Sequence, residues 1–127
     1  MIAVPARVYE CDASEVSELK KMLEYDPYLD KALTEEDLKK IKNDPEANVI
    51  FARQDYLLRD GASLSMDSSK YFLYLSASDD FLNAAEKKLK GNIKSIKRLD
   101  QDNERKVIET IEDERTKAEE GFGAIFG

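Results

Sequence analysis

The sequence predicts a layered α+β domain, and the clearest evidence is a strand, a helix and a second strand between residues 70 and 99. The run Tyr71-Phe72-Leu73-Tyr74-Leu75 is aromatic and apolar, as in a half-buried strand, and it ends at a small polar turn. A helix follows over about 79–90, and three aliphatic residues mark a returning strand over 93–99. Because a strand–helix–strand crossover almost always returns parallel to its first strand, this unit places a helix layer on a sheet.

The first third of the chain is predicted to hold one strand and two helices. Apolar and polar residues alternate loosely over 2–10, which predicts a strand. Asp12 begins a segment that resembles a capping box, and the apolar spacing over 16–23 predicts a helix packed on one face. Thr34 is a good cap for a second, short helix, which ends before Asp44-Pro45 because the residue before a proline disfavours helical backbone.

Two β segments are predicted in the middle of the chain. Residues 49–52 form the next strand. Between Asp55 and Asp67, the largely apolar run 56–59 is followed by Asp60-Gly61, a common turn sequence, and residues 62–66 alternate. We therefore predict a β-hairpin arm centred on this pair.

The last two helices are predicted from their caps and charges. Ser78 caps the first of them, and Gly91 is its expected stop. An aspartate at 100 or 102 begins the final helix, which is nearly all charged over 112–120 and is expected to make little contact with the body. Gly121 is expected to end it.

The order of these elements resembles the ferredoxin-like split βαβ sandwich over about residues 2–99, with an inserted β-hairpin and an extra C-terminal helix. We predict one α+β domain over 1–120 and an apolar tail over 121–127. The resemblance implies a fold that hosts many functions, ligand-binding regulatory domains among them, so function must be argued from residues.

Composition narrows the class of partner. The chain carries 27 acidic and 20 basic residues, a net charge of −7, which disfavours nucleic acid and anionic membranes as partners. No apolar run approaches the ~20 residues of a membrane span, and the first residues lack a basic leader. With a single cysteine and hence no internal disulfide, the chain is expected to be cytoplasmic.

The chain contains no histidine, which excludes Ser-His and Cys-His nucleophilic pairs and removes the commonest general base. Zinc and iron sites would need several Cys or His residues, so neither a metal nor another cofactor is expected. Residues 100–104 copy the opening of a calcium loop, but Arg105 and Ile111 stand where glycine and an acid are needed, which favours a helix cap. An enzyme that uses carboxylate, lysine and tyrosine groups stays open as a third alternative.

Two further features bear on chemistry. Acidic neighbours flank Cys11 and raise its pKa, which indicates a buried residue rather than a nucleophile. A basic cluster over 87–98 would suit an anion or an acidic partner, but no aromatic residue is interleaved to stack a base. A solvated helix end is the favoured interpretation of the cluster, and nucleic acid is not expected.

The leading hypothesis is a non-enzymatic protein-interaction module, either a homodimer or an accessory subunit. Its partner-binding residues would be Phe122, Ile125 and Phe126 in the apolar tail, although the same tail would suit folding back onto the sheet. The alternative is a regulatory domain that binds a small anionic ligand, an acidic metabolite, at a subunit interface. Its ligand-binding residues would be Ser76, Ser78, Lys94 and Arg98.

Overall fold

Four strands within the described residues form one open antiparallel sheet. The computed structural model describes residues 4–45 and 47–126, with the backbone alone for 120–126. The strands are β1 (Ala6–Asp12), β2 (Asp55–Asp60), β3 (Lys70–Ser76) and β4 (Lys97–Arg98). They lie side by side in the order β2-β3-β1-β4. The prediction of a mixed α+β fold is therefore confirmed.

In the part of the chain that the structure describes, four α-helices accompany the sheet: α1 (Val16–Glu24), α2 (Glu35–Asn43), α3 (Asp79–Asn92) and α4 (Gln101–Phe126). The predicted cap of α2 is confirmed as a capping box, because the Asp37 amide donates to Thr34 Oγ1 (3.2 Å) and the Thr34 amide donates to the Asp37 carboxylate (3.0 Å). Ser78 caps α3 as predicted and accepts from the Phe81 amide at 3.3 Å. No helix in the described ranges has the length and apolar character of a membrane span.

Three predicted helix boundaries are wrong. Asp12 makes no capping bond, because its carboxylate pairs with Lys70 on the neighbouring strand, and a short 3-10 turn (Ala13–Glu15) precedes α1. Gly91 lies inside α3 rather than after it. The backbone of α4 likewise continues through Gly121.

The predicted strand over 49–52 and the predicted hairpin arm are also wrong. Phe51–Arg53 is a 3-10 turn, and Ala62–Leu64 is another. The partner of β2 is β3, with Leu57 opposite Tyr74. The local alternation over 62–66 is overridden because the longer apolar strand β3 offers more cross-strand contact.

Alternation along the two central strands divides the core between the two faces of the sheet. Tyr9 and Cys11 of β1 and Leu73 and Leu75 of β3 face the side covered by α1 and α3. The opposite face is covered by α4, and its cluster of buried residues consists of Val8, Phe72, Tyr74, Val107 and Ile111. The sheet is therefore enclosed by helices on both faces.

The returning strand is much shorter than predicted. Because β1 is antiparallel to both β3 and β4, these two run parallel to each other, and the predicted direction is confirmed. The Glu15 carboxylate accepts from the Lys94 and Ser95 amides at 3.0 and 2.9 Å, and Ser95 Oγ accepts from the Asp12 amide at 2.9 Å. These bonds hold residues 94–95 in a turn, so only two residues remain for β4.

Candidate interaction surface

The second half of α4 is tied to the outermost strand of the sheet by two ion pairs. Arg59 donates to both carboxylate oxygens of Glu114 (2.7 and 3.3 Å), and Arg115 donates to both of Asp55 (3.0 and 2.8 Å). The Arg115 guanidinium also lies 5.3 Å from the centroid of the Tyr74 ring. We call these four charged residues of β2 and α4 the β2–α4 charge set. The expectation that this part of α4 has little contact is wrong at Glu114 and Arg115, whereas residues 116–119 are exposed.

The electrostatics of the charge set are those of partly exposed pairs. The Arg115 hydrogen bond lowers the pKa of Asp55, and the Arg59 hydrogen bond lowers the pKa of Glu114. Because these side chains are partly solvated, water screens the pairs and their contribution to the free energy of unfolding is small. The pairs therefore align α4 along β2 more than they stabilise the fold.

The connection between β2 and β3 forms a hydrogen-bonded corner beside α4. Asp67 accepts from the amide and hydroxyl of Ser69 at 2.9 and 2.6 Å, and Ser65 adopts a left-handed backbone with φ 57°. A cavity of about 180 Å³ separates this connection from α4 and is lined by Leu64, Ser65, Met66, Asn103, Lys106, Val107 and Thr110. It is smaller than an ordinary ligand pocket of roughly 300–1,000 Å³ and lacks an acid–base pair.

A buried carboxylate closes the sheet at the opposite edge. Glu104, only 8% exposed, accepts from the Val8 amide at 3.0 Å and from two Arg98 nitrogens at 2.8 Å each. Burial raises the pKa of Glu104, but the hydrogen bonds from Arg98 and Val8 outweigh it, so the pKa lies below its usual range. Glu104 thus replaces the neighbouring strand that β1 lacks there. Its position on the stripe with Val107 and Ile111 was the signal in the sequence.

The residues predicted to bind a ligand are not brought together. Ser76 ends β3 opposite Ala6 and donates to the Pro5 carbonyl at 3.1 Å, and Ser78 lies just beyond it as the α3 cap. Arg98 of β4 lies opposite Tyr9, which is three residues along β1 from Ala6. The Arg98 side chain donates to the Glu104 carboxylate. Lys94 lies in the turn at the other end of the sheet. The ligand hypothesis stays a prediction, but these residues do not share one site.

Most of the predicted basic cluster has partners within the molecule. Lys88 donates to the Val49 carbonyl at 3.1 Å, Lys97 lies 3.1 Å from the Glu10 carboxylate and Lys90 lies 3.7 Å from the Glu86 carboxylate. These contacts support the interpretation of the cluster as part of the folded surface.

The buried titratable groups of β1 are kept in their neutral forms. Burial, followed by the charges of Glu15 and Asp12, raises the pKa of Cys11 to about 11, and the side chain is 1% exposed. Burial is also the main cause that raises the pKa of Tyr9 to about 12, and its hydroxyl donates to Glu86 at 3.1 Å. Neither group is an accessible nucleophile at neutral pH.

The side chains of the predicted partner-binding residues Phe122, Ile125 and Phe126 lie outside the described residues, although the backbone of α4 reaches Phe126. The fold and the charge set define a small α+β protein with a helix-covered sheet and a long terminal helix. Comparisons with protein-family models, with curated proteins and with solved structures found no match to this chain.

We expect the free energy of unfolding to decrease as the pH falls below about 4.5. The pKa values of Glu15, Asp37, Asp67, Asp100 and Glu104 are lowered in the folded protein from ordinary values of 4.5 for Glu and 3.8 for Asp. Such carboxylates bind fewer protons in the folded protein than in the unfolded chain. Their contribution to the free energy of unfolding is therefore complete above the unfolded pKa and is lost as the pH falls through the folded pKa. Urea unfolding at pH 7, 4 and 3 measures this loss. The free energy of unfolding of Glu104→Gln should depend less on pH than that of the wild-type chain. If the two depend on pH equally, Glu104 does not contribute to this loss.

Proposed function

We propose that this protein is a non-enzymatic protein-interaction module, a homodimer or an accessory subunit, and that the end of α4 binds the partner. The observation that carries the proposal is the length of α4. Its last described ion pairs to the sheet come from Glu114 and Arg115, and its backbone continues to Phe126. At 1.5 Å per residue, the helix extends about 16 Å past these pairs.

The composition of the helix end supports a protein partner. Residues 116–119 are exposed, and the ion pair of Lys117 is made to Asp113 of the same helix. Positions 122, 125 and 126 carry Phe, Ile and Phe, and their spacing of three and four is that of one side of an α-helix. An apolar stripe on the end of a helix is the feature by which helices bind in the grooves of other proteins.

We also infer that the topology is ferredoxin-like. The support is the element order strand–helix–strand–strand–helix–strand, with α2 as an addition to the first helix, and the sheet order β2-β3-β1-β4. In this interpretation α4 is an extra helix that covers the sheet face opposite α1 and α3. Cytoplasmic location stays a prediction.

The proposal is tested by the mass in solution of the full chain and of a chain that ends at Glu120. For self-association through the end of α4, the full chain should form a larger assembly than the shorter chain, and the unfolding temperature of the shorter chain should be unchanged. A matched control replaces Asp113 and Lys117, an exposed pair 3.1 Å apart on the same helix, by serine and should keep the mass of the full chain.

Two results would contradict this role of the tail. The first is an oligomer whose mass does not change on truncation. The second is a shortened chain whose unfolding temperature falls by more than about 5 °C, since a loss of roughly 1 kcal/mol would mean that the tail packs on its own fold. A monomer of equal stability in both cases excludes the homodimer and favours the accessory subunit.

A further inference from the structure

We infer that this chain also pairs with a second copy of itself, antiparallel along the outer edge of β2 and across a two-fold axis at Leu57. This inference goes beyond the proposed function, because it concerns a surface separate from the end of α4. The two can therefore fail independently.

The backbone of β2 presents unused hydrogen-bonding groups. β2 is the last strand of the sheet order and, among the described residues, pairs with β3 alone. The Gly61 amide donates to the Lys70 carbonyl at 2.9 Å, and backbone groups alternate along a strand, so Leu57 bonds to β3 while Tyr56 and Leu58 direct theirs outward. Within the described part of the chain, the outward N–H groups of Tyr56 and Leu58 meet no acceptor.

The side chains of β2 are complementary to themselves in one register. With Leu57 opposite Leu57, Tyr56 lies opposite Leu58 and Asp55 opposite Arg59 of the second copy. The outward amides of Tyr56 and Leu58 then exchange hydrogen bonds across the edge. Aromatic–aliphatic and opposite-charge pairs of this kind stabilise antiparallel strands.

The two neighbouring registers are less complementary. Paired residues must lie on the same face, so the axis can move only by a whole residue, to Tyr56 or to Leu58. An axis at Leu58 places Leu57 opposite Arg59, and an axis at Tyr56 places Leu57 opposite Asp55. Both shifts give up the charge pair and place an apolar side chain opposite a charge, so the side chains favour the register centred on Leu57.

The β2–α4 charge set already holds the charges in place for this contact. Glu114 pairs with Arg59, and Arg115 pairs with Asp55, within each copy. Bringing Arg59 beside Asp55 of the second copy produces a row of alternating sign, from Glu114 through Arg59 and Asp55 to Arg115. Such complementarity on the rim of an interface determines register and orientation more than affinity.

The opposite edge of the sheet explains why the assembly would stop at two copies. β4 has two residues. Beyond it, the Val8 amide donates to the Glu104 carboxylate and is not free to pair with another strand. A closed, charged edge discourages further strand addition. The two-fold axis uses both copies of β2, so the result is a closed dimer rather than a filament.

The first experiment measures mass by light scattering over a range of protein concentrations. The full chain should reach twice its 14.5 kDa. Leu58→Pro removes one outward N–H on an edge strand, where proline is tolerated, and should raise the dimer dissociation constant at least 10-fold more than the matched control Leu58→Ala, which keeps that N–H.

The second experiment tests the register and does not depend on the folding of the proline variant. Leu57→Cys should form an intermolecular disulfide on mild oxidation, because facing residues at a non-hydrogen-bonded position bring their Cβ atoms close enough. Leu58→Cys, the matched control, should cross-link much less. The native Cys11 is 1% exposed and should not react.

Each other outcome overturns the inference. The inference fails if the full chain is a monomer. It also fails if Leu58→Pro and Leu58→Ala have the same dimer dissociation constant, or if Leu58→Cys cross-links more than Leu57→Cys. Dimers lost on truncation at Glu120 but kept in Leu58→Pro would overturn the edge contact and support the end of α4. Dimers kept on truncation but lost in Leu58→Pro would support the edge contact and exclude self-association through the end of α4.

Discussion

Replacing Gly61 with alanine is expected to lower the free energy of unfolding by about 3 kcal/mol. A Cβ at this position would lie 1.7 Å from the carbonyl oxygen of Asp67 and 2.5 Å from its carbonyl carbon. These are backbone atoms, so no side-chain rotation relieves the contact. The Asp67 carbonyl also accepts from the Lys70 amide at 3.1 Å, and moving it would disturb the start of β3.

The measurement is urea unfolding of Gly61→Ala beside a matched control, Gly91→Ala. A Cβ at Gly91 meets nothing within 4 Å, and Gly91 lies inside α3. The control should therefore gain about 0.5–1 kcal/mol, because alanine is the better helix former. Similar changes in the two variants would contradict the steric explanation.

Replacing Glu104 with alanine is expected to cost about 3 kcal/mol. The substitution leaves the amide of Val8, a residue with 0% exposure, without its acceptor. It also leaves the Arg98 guanidinium without the carboxylate that it contacts at 2.8 Å. An unsatisfied buried donor and an unpaired charge then arise together at the edge of the sheet.

Two controls separate these effects in urea unfolding. Asp102→Ala removes a carboxylate that is 80% exposed on the first turn of the same helix and should cost less than about 1 kcal/mol. Glu104→Gln keeps an oxygen that can accept from Val8 and should fall between the wild-type chain and Glu104→Ala. If Glu104→Ala costs no more than Asp102→Ala, the bonds to Val8 and Arg98 do not hold the edge.

The structure requires glycine at position 61, but for a different reason from the one that the sequence suggests. The pair Asp60-Gly61 suggests a tight hairpin turn in which glycine supplies a positive φ. In the structure its φ is −61°, an ordinary helical value. Glycine is needed because the chain returns within contact distance of it at Asp67. Sequence patterns report backbone preference, whereas a close approach depends on where a later segment folds.

The candidate surfaces were predictable to different degrees. The apolar end of α4 is visible in the sequence because Phe122, Ile125 and Phe126 lie close together in the chain. The β2 edge is not visible in the sequence, which predicts a hairpin arm for these residues. The outer edge of β2 can be recognised only after the structure shows that β3 pairs with its inner edge. The charge set joins residues 55 and 60 positions apart, a distance that no local pattern spans.

The sequence by itself determined the mixed fold class, the alternation of the central strands and the caps at Thr34 and Ser78, because these depend on residues within one turn or one strand of each other. The tertiary structure alone decided the partner of β2, the short length of β4 and the role of Glu104. Each of these depends on bonds between distant residues, such as Glu15 with Ser95, 80 positions apart, and Val8 with Glu104, 96 positions apart. The physical reason is that a backbone N–H removed from water must find an acceptor, and only the folded chain shows which distant group supplies it.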